Sequence, residues 1–161
     1  MLPLGERLLV GSRDLVLFDV TRPAQPELKV RLHDRERIDR INGVVRVGDI
    51  LLGANKEGFI VVARWDGGDG LQLSGVRPTA PDGLTSPHDL DVVDELLIVA
   101  DGNGFGRGDK PGRVAAYRFR ESADSAPWPP EKWILAGKVE DVRLAGCNRV
   151  RTYGRMAIGI S

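Results

Sequence analysis

The sequence contains only one cysteine, Cys147, among its 161 residues, and it has no long apolar run. A single cysteine excludes an internal disulfide framework and a cysteine-based zinc site. A membrane helix needs about 18 or more consecutive apolar residues, and no stretch approaches this length, so no membrane span is expected. The opening residues are interrupted by Glu6 and Arg7 and lack the apolar segment of a secretory signal peptide.

The sequence also lacks an excess of charge of either sign. It has 23 basic and 23 acidic residues, and no long run of one sign occurs. A surface that binds nucleic acid normally needs a basic footprint, so nucleic acid is not expected as a partner. The hydrophobic share of 42% is that of a globular protein with a packed core, and the length is typical of one domain.

Apolar residues at helical spacing are missing, and so are the nucleophile elbow GxSxG and the phosphate-binding P-loop. What the sequence offers instead is a series of short β-branched runs, separated by Gly, Pro, Asn and Asp. Such runs of about 4 to 8 residues predict β-strands. The sequence therefore predicts an all-β protein.

The strand runs belong to a repeated pattern. The segment HDLDVVDELLIVAD, residues 88–101, aligns without a gap on residues 42–55 at an offset of 46 and on residues 148–161 at an offset of 60. A partial copy, ERLLVGS at residues 6–12, matches its second half at an offset of 88. Self-similarity at such spacings indicates a repeat architecture.

Each repeat predicts a hairpin followed by two further strands. The turns fall at Asp94-Glu95, Gly48-Asp49 and Gly154-Arg155. Four short antiparallel strands per unit describe the blade of a β-propeller, and we expect about three and a half blades. The predicted units are an incomplete blade at 6–32, full blades at 42–76 and 88–139, and an incomplete blade at 148–161, with residues 1–5 not assigned to a strand.

Propellers usually have about 4 to 8 blades and close into a ring. We therefore expect the chain to be part of a larger propeller of about six to eight blades. The remaining blades would come from the rest of a longer protein or from another copy of the chain.

The segment LVLFDVTRPAQPELKVRL, residues 15–32, resembles the LVIVD-repeat propellers. In that family an aliphatic-Asp-Val run ends the third strand of a blade, and a turn containing proline leads into the fourth strand. The run LLIVAD at residues 96–101 is similar to the second strand of the same family. The resemblance implies a propeller whose activity is uncharacterised.

A broader similarity, through Pro87-His88-Asp89 and residues 97–101, is to NHL-repeat and gluconolactonase-like propellers. The hydrolases among them hold calcium through Glu, Asn and Asp on the inner strands. This resemblance implies, as an alternative function, a calcium-dependent lactonase-like hydrolase in which Asn42 and Asn148 coordinate the ion and Asp89 or His88 acts as the base. The residues do not decide whether the protein is an enzyme, and no catalytic residue is assigned.

The repeat register predicts where a ligand site lies. In an antiparallel blade the connections that precede the first strand and follow the second fall on one face. Asn42, His88 and Asn148 occupy the same repeat position there, at the mouth of the central channel, with Asp89 and Arg149 as neighbours. We predict that these five residues bind a small molecule or a protein. The competing interpretation is that they only satisfy backbone groups or hold channel water.

Two other segments have more than one interpretation. Residues 101–109, DGNGFGRGD, have the oxygen ligands and glycines of a calcium loop, but a flexible hairpin insertion is favoured because Phe105 and Gly112 stand where ligands are needed. Trp128 lies in a proline-rich excursion at residues 123–133 and either anchors a partner or packs against its own blade.

Overall fold

The computed structural model describes residues 1–102, 111–154 and 156–160, and it is all-β as predicted. Strands follow one another along the chain, with short 3-10 turns at Ala80–Asp82, Pro130–Lys132 and Val142–Leu144. No helix among these residues is long and apolar enough to cross a bilayer.

The strands form separate antiparallel sheets in which neighbours in sequence are neighbours in space. Sheet 1 contains β1 (Leu2–Leu4), β2 (Arg7–Gly11), β3 (Leu15–Asp19) and β4 (Glu27–Leu32). Sheet 2 contains β5 (Ile41–Val47), β6 (Ile50–Asn55), β7 (Phe59–Trp65) and β8 (Leu71–Pro78). Sheet 3 contains β9 (Pro87–Val93), β10 (Leu96–Asp101), β11 (Gly112–Arg118) and β12 (Ile134–Asp141). Sheet 4 is the hairpin of β13 (Arg149–Tyr153) and β14 (Met156–Ile160).

Sheet 1 corrects the sequence analysis, which left residues 1–5 without a strand. Leu2–Leu4 pairs antiparallel with residues 7–9 and gives this sheet its fourth strand. Pro3 is tolerated because β1 lies at the edge of the sheet, where a missing N–H removes no hydrogen bond between strands. Leu4 is buried and explains why so short a segment is held in place.

Two-residue turns connect the first and second strands of every sheet. They fall at Gly5-Glu6, Gly48-Asp49 and Asp94-Glu95, and Gly154 begins the turn of sheet 4. The first residue of each turn has a positive φ, between 50° and 69°. Glycine adopts this conformation without strain, and aspartate tolerates it better than most residues, which accounts for the residues found there.

The turns also correct the register of the first repeat. Gly5 is the structural equivalent of Asp94, so sheet 1 and sheet 3 are related by an offset of 89 residues. The predicted offset of 88 is therefore one residue out. Because side chains alternate between the two faces of a strand, a shift of one residue exchanges the faces.

The sheets pack face to face in chain order. One core lies between sheets 1 and 2 and includes Leu9, Leu17 and Leu51. A second lies between sheets 2 and 3 and includes Leu52 and Leu97. A third joins sheet 3 to sheet 4 through Ile98, Ala100, Cys147 and Val150.

Strand β6 shows why the sequence has continuous apolar runs instead of an alternating pattern. All six of its residues are buried. Leu51 contributes to the core with sheet 1, whereas its neighbours Ile50 and Leu52 contribute to the core with sheet 3. A strand covered on both faces must be apolar on both.

The first strands of sheets 2, 3 and 4 lie side by side. Strand β5 lies against β9, and β9 lies against β13. Gly43 on β5 makes this approach possible, since a Cβ atom there would lie 2.7 Å from the Cα of Asp89 and would contact its Oδ1. This arrangement brings the starts of the three strands to one place.

The proline-rich excursion packs against its own sheet. Trp128 is half-buried against the core between sheets 2 and 3. Its carbonyl oxygen accepts a hydrogen bond of 2.8 Å from Nε1 of Trp133, whose ring meets Phe119 edge to face with 5.9 Å between ring centres. Of the two interpretations of Trp128, the structure therefore favours packing.

Candidate functional site

A cavity of about 550 Å³ lies where β5, β9 and β13 begin. This volume is in the range of pockets that hold small molecules, roughly 300 to 1,000 Å³. Its wall combines polar side chains from three sheets with backbone from sheet 1. The lining residues are Met1, Gly11, Ile41, Asn42, Gly43, Val44, Lys56, His88, Asp89, Asn148, Arg149 and Arg151.

Two β-bulges aim side chains at this cavity. In sheet 3 the register shifts between Ala100 and Asp101, whose partners are Asp89 and Pro87, so His88 is the extra residue. In sheet 2 the pairing shifts between Ile41 and Val44, in the stretch that contains Asn42. Bulges are common beside functional sites because they turn a side chain away from the regular alternation.

His88 is only 5% exposed, and its Nδ1 lies 3.4 Å from Nδ2 of Asn42. The amide donates in this contact, so Nδ1 accepts and the ring proton is placed on Nε2. Burial lowers the pKa of His88 from 6.5 to about 4; the positive charge of Lys56 acts in the same direction, and Asp89 acts weakly against it. The imidazole is therefore neutral at pH 7 and can both donate and accept a hydrogen bond.

Asp89 is 8% exposed and is held by β13. Its Oδ2 accepts a hydrogen bond of 2.6 Å from Arg151 and one of 3.2 Å from the backbone N–H of Val150. The carboxylate thus forms part of the cavity wall and also joins sheet 3 to sheet 4. The bond from Val150 agrees with the interpretation that Asp89 satisfies backbone groups, and ligand binding by Asp89 stays a prediction.

Asp91 repeats the same connection two residues further along β9. Its Oδ2 accepts a hydrogen bond of 2.6 Å from the backbone N–H of Thr152 and one of 3.0 Å from the Thr152 hydroxyl. Residues two apart point to the same side of a strand, so Asp89 and Asp91 form a row of acceptors that faces β13. Backbone N–H groups of β13 are satisfied by side chains of the neighbouring sheet.

Replacing Asp91 by alanine should loosen the β13–β14 hairpin. Two hydrogen bonds to a charged acceptor are lost, at a cost of about 1 to 3 kcal/mol. We expect amide hydrogen exchange in β13 to become at least about tenfold faster, while exchange in β6 is unchanged.

Asp49→Ala is the matched control for this experiment. The Asp49 carboxylate lies 3.4 Å from the Arg64 guanidinium, and both side chains are mostly exposed, so its loss should cost less than about 0.5 kcal/mol. Equal exchange rates in β13 of Asp91→Ala and the wild type would contradict the anchoring role.

Basic side chains outnumber acidic ones around the cavity. Among the residues that the structure describes, Lys56, Arg149 and Arg151 line it, against one carboxylate, that of Asp89. Arg151 and Asp89 form an ion pair, whereas Arg149 has no acidic partner among the same residues. The cavity is therefore suited to a ligand that carries negative charge.

The described residues that line this cavity do not form a calcium site. Calcium prefers six to eight oxygen ligands with several carboxylates, whereas the single carboxylate here is bonded to Arg151 and Val150. No group of three or more His, Cys, Asp or Glu side chains in the described ranges is placed to hold a metal ion. Asn42 and Asn148, the ligands that the lactonase resemblance implies, face cationic neighbours.

The predicted calcium loop at residues 101–109 lies outside the described residues, apart from its first two. Asp101 is fully buried, and its oxygens accept hydrogen bonds from the backbone N–H groups of Thr85 (3.3 Å) and Ser86 (2.6 Å) and from Arg113 (3.4 Å). Burial raises its pKa, and these donors act in the opposite direction. Asp101 therefore fixes the connection that leads into β9.

The structure brings all five predicted site residues to one cavity. Asn42, His88, Asp89, Asn148 and Arg149 come from three sheets and line the same wall. Cys147, the single cysteine, is buried in the core between sheets 3 and 4.

Sequence reasoning missed Lys56, Arg151 and Gly43 as parts of the cavity. Arg151 lies two residues after Arg149, so strand alternation would have placed it on the same side. The repeat offset of 46 residues pairs Gly43 with Asp89, which would have indicated a close approach between β5 and β9.

The described residues thus form a series of packed antiparallel sheets with a polar, cationic cavity where three first strands meet. Comparisons with protein-family models, with curated proteins and with solved structures find no match to the chain.

Proposed function

We propose that the sheets are blades of a β-propeller and that the protein is a binding domain whose ligand occupies the cavity at the channel mouth. The observation that carries this proposal is the convergence of Asn42, His88 and Asn148, one from each of three repeats, on a single cavity. Like positions face a common axis when sheets are arranged radially.

The packing of the sheets supports the propeller interpretation. The first strands β5, β9 and β13 are neighbours, and each pair of successive sheets encloses its own apolar core. Both features are expected when the first strand of each blade lines a central channel. The same proposal includes further blades that close the ring at about six to eight. It also includes membership of the LVIVD-repeat propellers.

A binding function is favoured over a structural role because the cavity contains more polar groups than the fold uses. Asp89 and Arg151 join sheets, but the side chains of Asn148 and Arg149 make no hydrogen bond or ion pair within the described parts of the chain. Polar side chains that line a concave site without a role in packing are typical of ligand recognition.

Asn42→Trp tests the proposed site by filling it. Asn42 is exposed to the cavity, so a large side chain there should block the cavity and leave the fold intact. A screen of small anionic, neutral and cationic compounds by thermal unfolding should give ligands that raise the melting temperature of the wild type by mass action. Asn42→Trp should abolish these shifts.

Gln72→Trp serves as the control, since Gln72 is an exposed strand residue of β8 that does not line the cavity. It should respond to ligands like the wild type. If no compound gives a shift that Asn42→Trp removes, the cavity is not a binding site and the polar residues only support the fold.

A further inference from the structure

The charge of the cavity differs from that of the chain as a whole. The sequence carries equal numbers of acidic and basic residues, 23 of each. Around the cavity, the charged residues within the described ranges are Lys56, Arg149 and Arg151 and one carboxylate, that of Asp89. Positive charge is therefore concentrated at this site, and a concave site with charge of one sign attracts ligands of the opposite sign.

Arg149 is the basic residue best placed to meet a ligand. It is exposed, it lines the cavity, and no acidic side chain of residues 1–102, 111–154 or 156–160 forms an ion pair with it. By contrast, Arg151 is already bound to Asp89 at 2.6 Å. A guanidinium presents a planar fork of N–H donors that matches the two oxygens of a carboxylate or the oxygens of a phosphate.

The amides beside Arg149 add donors of the right kind. Asn148 precedes Arg149 in sequence, and Asn42, on β5, lines the same cavity. The contact of the Asn42 amide with Nδ1 of His88 holds that amide in place. Neutral donors next to a guanidinium allow several oxygens of one anionic group to be bound at once.

The environment of His88 reflects the charge of the same Lys56. Next to burial, the charge of Lys56 is the largest influence that keeps its imidazole neutral. A cation that disfavours a second positive charge on His88 equally favours a negative charge on a ligand at that point.

We propose that the ligand of this cavity is a small molecule with a carboxylate or phosphate group, and that Arg149 binds this group together with Lys56 and the amides of Asn42 and Asn148. This inference rests on the proposed function, because it requires the cavity to be a binding site, and adds the chemical class of the ligand. The same charges repel divalent cations.

Isothermal titration calorimetry with citrate and with inorganic phosphate tests the class, with glucose as a neutral probe and calcium chloride as a cationic one. Ionic strength is kept constant, because salt screens charges at an exposed site. We expect at least one of the two anions to bind the wild-type chain, and glucose and calcium to give no heat of binding.

Arg149→Ala should weaken binding of that anion by about tenfold or more, because a charge-assisted bidentate contact is lost. Arg149→Lys should recover part of the affinity, since it restores the charge without the planar fork. Arg64→Ala is the matched control: Arg64 is an exposed arginine on β7 that does not line the cavity, and its removal should leave the affinity unchanged. Equal melting temperatures of the variants would show that the fold is intact.

The outcomes separate the two proposals. If neither anion binds, the anionic class is wrong. If an anion binds the wild type and Arg149→Ala equally, Arg149 does not bind it and the proposed anion site is wrong. If a neutral or cationic compound then binds and Asn42→Trp blocks it, the cavity is a binding site for a different ligand class. If Asn42→Trp blocks no compound of any charge, both proposals fail.

Discussion

Replacing Gly43 by alanine should lower the free energy of unfolding by about 3 kcal/mol, because the added methyl group has no space. A Cβ atom at this position would lie 2.7 Å from the Cα of Asp89 and 3.1 Å from the backbone nitrogen of Leu90. Backbone atoms cannot rotate away as the end of a long side chain can. Strands β5 and β9 must therefore move apart, and the cavity between them must change shape.

Urea unfolding measures this effect, and Gly137→Ala provides the control. Gly137 lies on β12, and nothing lies within 4 Å of a Cβ atom built there, so alanine should change the free energy of unfolding by less than about 0.5 kcal/mol. In a chain of this size, about 3 kcal/mol corresponds to a fall in melting temperature of roughly 6 to 12 °C. A Gly43→Ala variant as stable as the wild type would show that β5 and β9 do not approach this closely.

His88 should make the protein less stable as the pH falls from 7 to 4. Its pKa is lowered to about 4 in the folded chain, against 6.5 for the exposed group. Between these values the unfolded chain binds a proton that the folded chain does not, so unfolding becomes more favourable with each step towards acid. The stabilising contribution is complete above pH 6.5 and is lost as the pH approaches 4.

Each pH unit in this window corresponds to at most about 1.4 kcal/mol, which sets a maximum of roughly 3 kcal/mol. We expect a total loss of about 2 kcal/mol, because His88 lines the cavity and solvent there screens part of the charge of the protonated ring. His88→Asn isolates the effect, because asparagine does not titrate and stands at the equivalent repeat positions 42 and 148. The difference in unfolding free energy between wild type and variant, measured at several pH values, should shrink or reverse by about 2 kcal/mol between pH 7 and pH 4.

Parallel pH curves for the two proteins would contradict this prediction and indicate that His88 is well solvated. Asp101 acts in the opposite direction, since burial raises its pKa and acid therefore favours the folded chain. That contribution is common to both proteins and cancels in the difference.

The sequence predicted the strands and the shared position of the site residues because both follow from local patterns. Asp94, Gly48 and Gly154 are residue types that favour turns. Six residues before each of them stand His88, Asn42 and Asn148, which therefore occupy the same position in their sheets. The β-bulges preserve this equivalence, since they occur at the same place in sheets 2 and 3.

What the sequence did not predict depends on contacts between sheets. The strand Leu2–Leu4 is too short to be recognised alone and is held by burial of Leu4. The one-residue error in the first repeat arose because offsets of 88 and 89 both align apolar residues with apolar residues. Only the pairing of Leu4 with Arg7 shows which offset is correct. The ion pair between Asp89 and Arg151 joins residues 62 apart, on different sheets.

The polar side chains of the cavity wall come from sheets 2, 3 and 4, and apolar cores join these sheets in sequence order. When repeated units are stabilised mainly by their immediate neighbours, loss of order in one unit can spread to the next. A molecule that bridges Asn42, His88 and Arg149 would tie together units that are not adjacent. Binding of such a molecule in the cavity would then make unfolding a single all-or-none transition instead of a stepwise one.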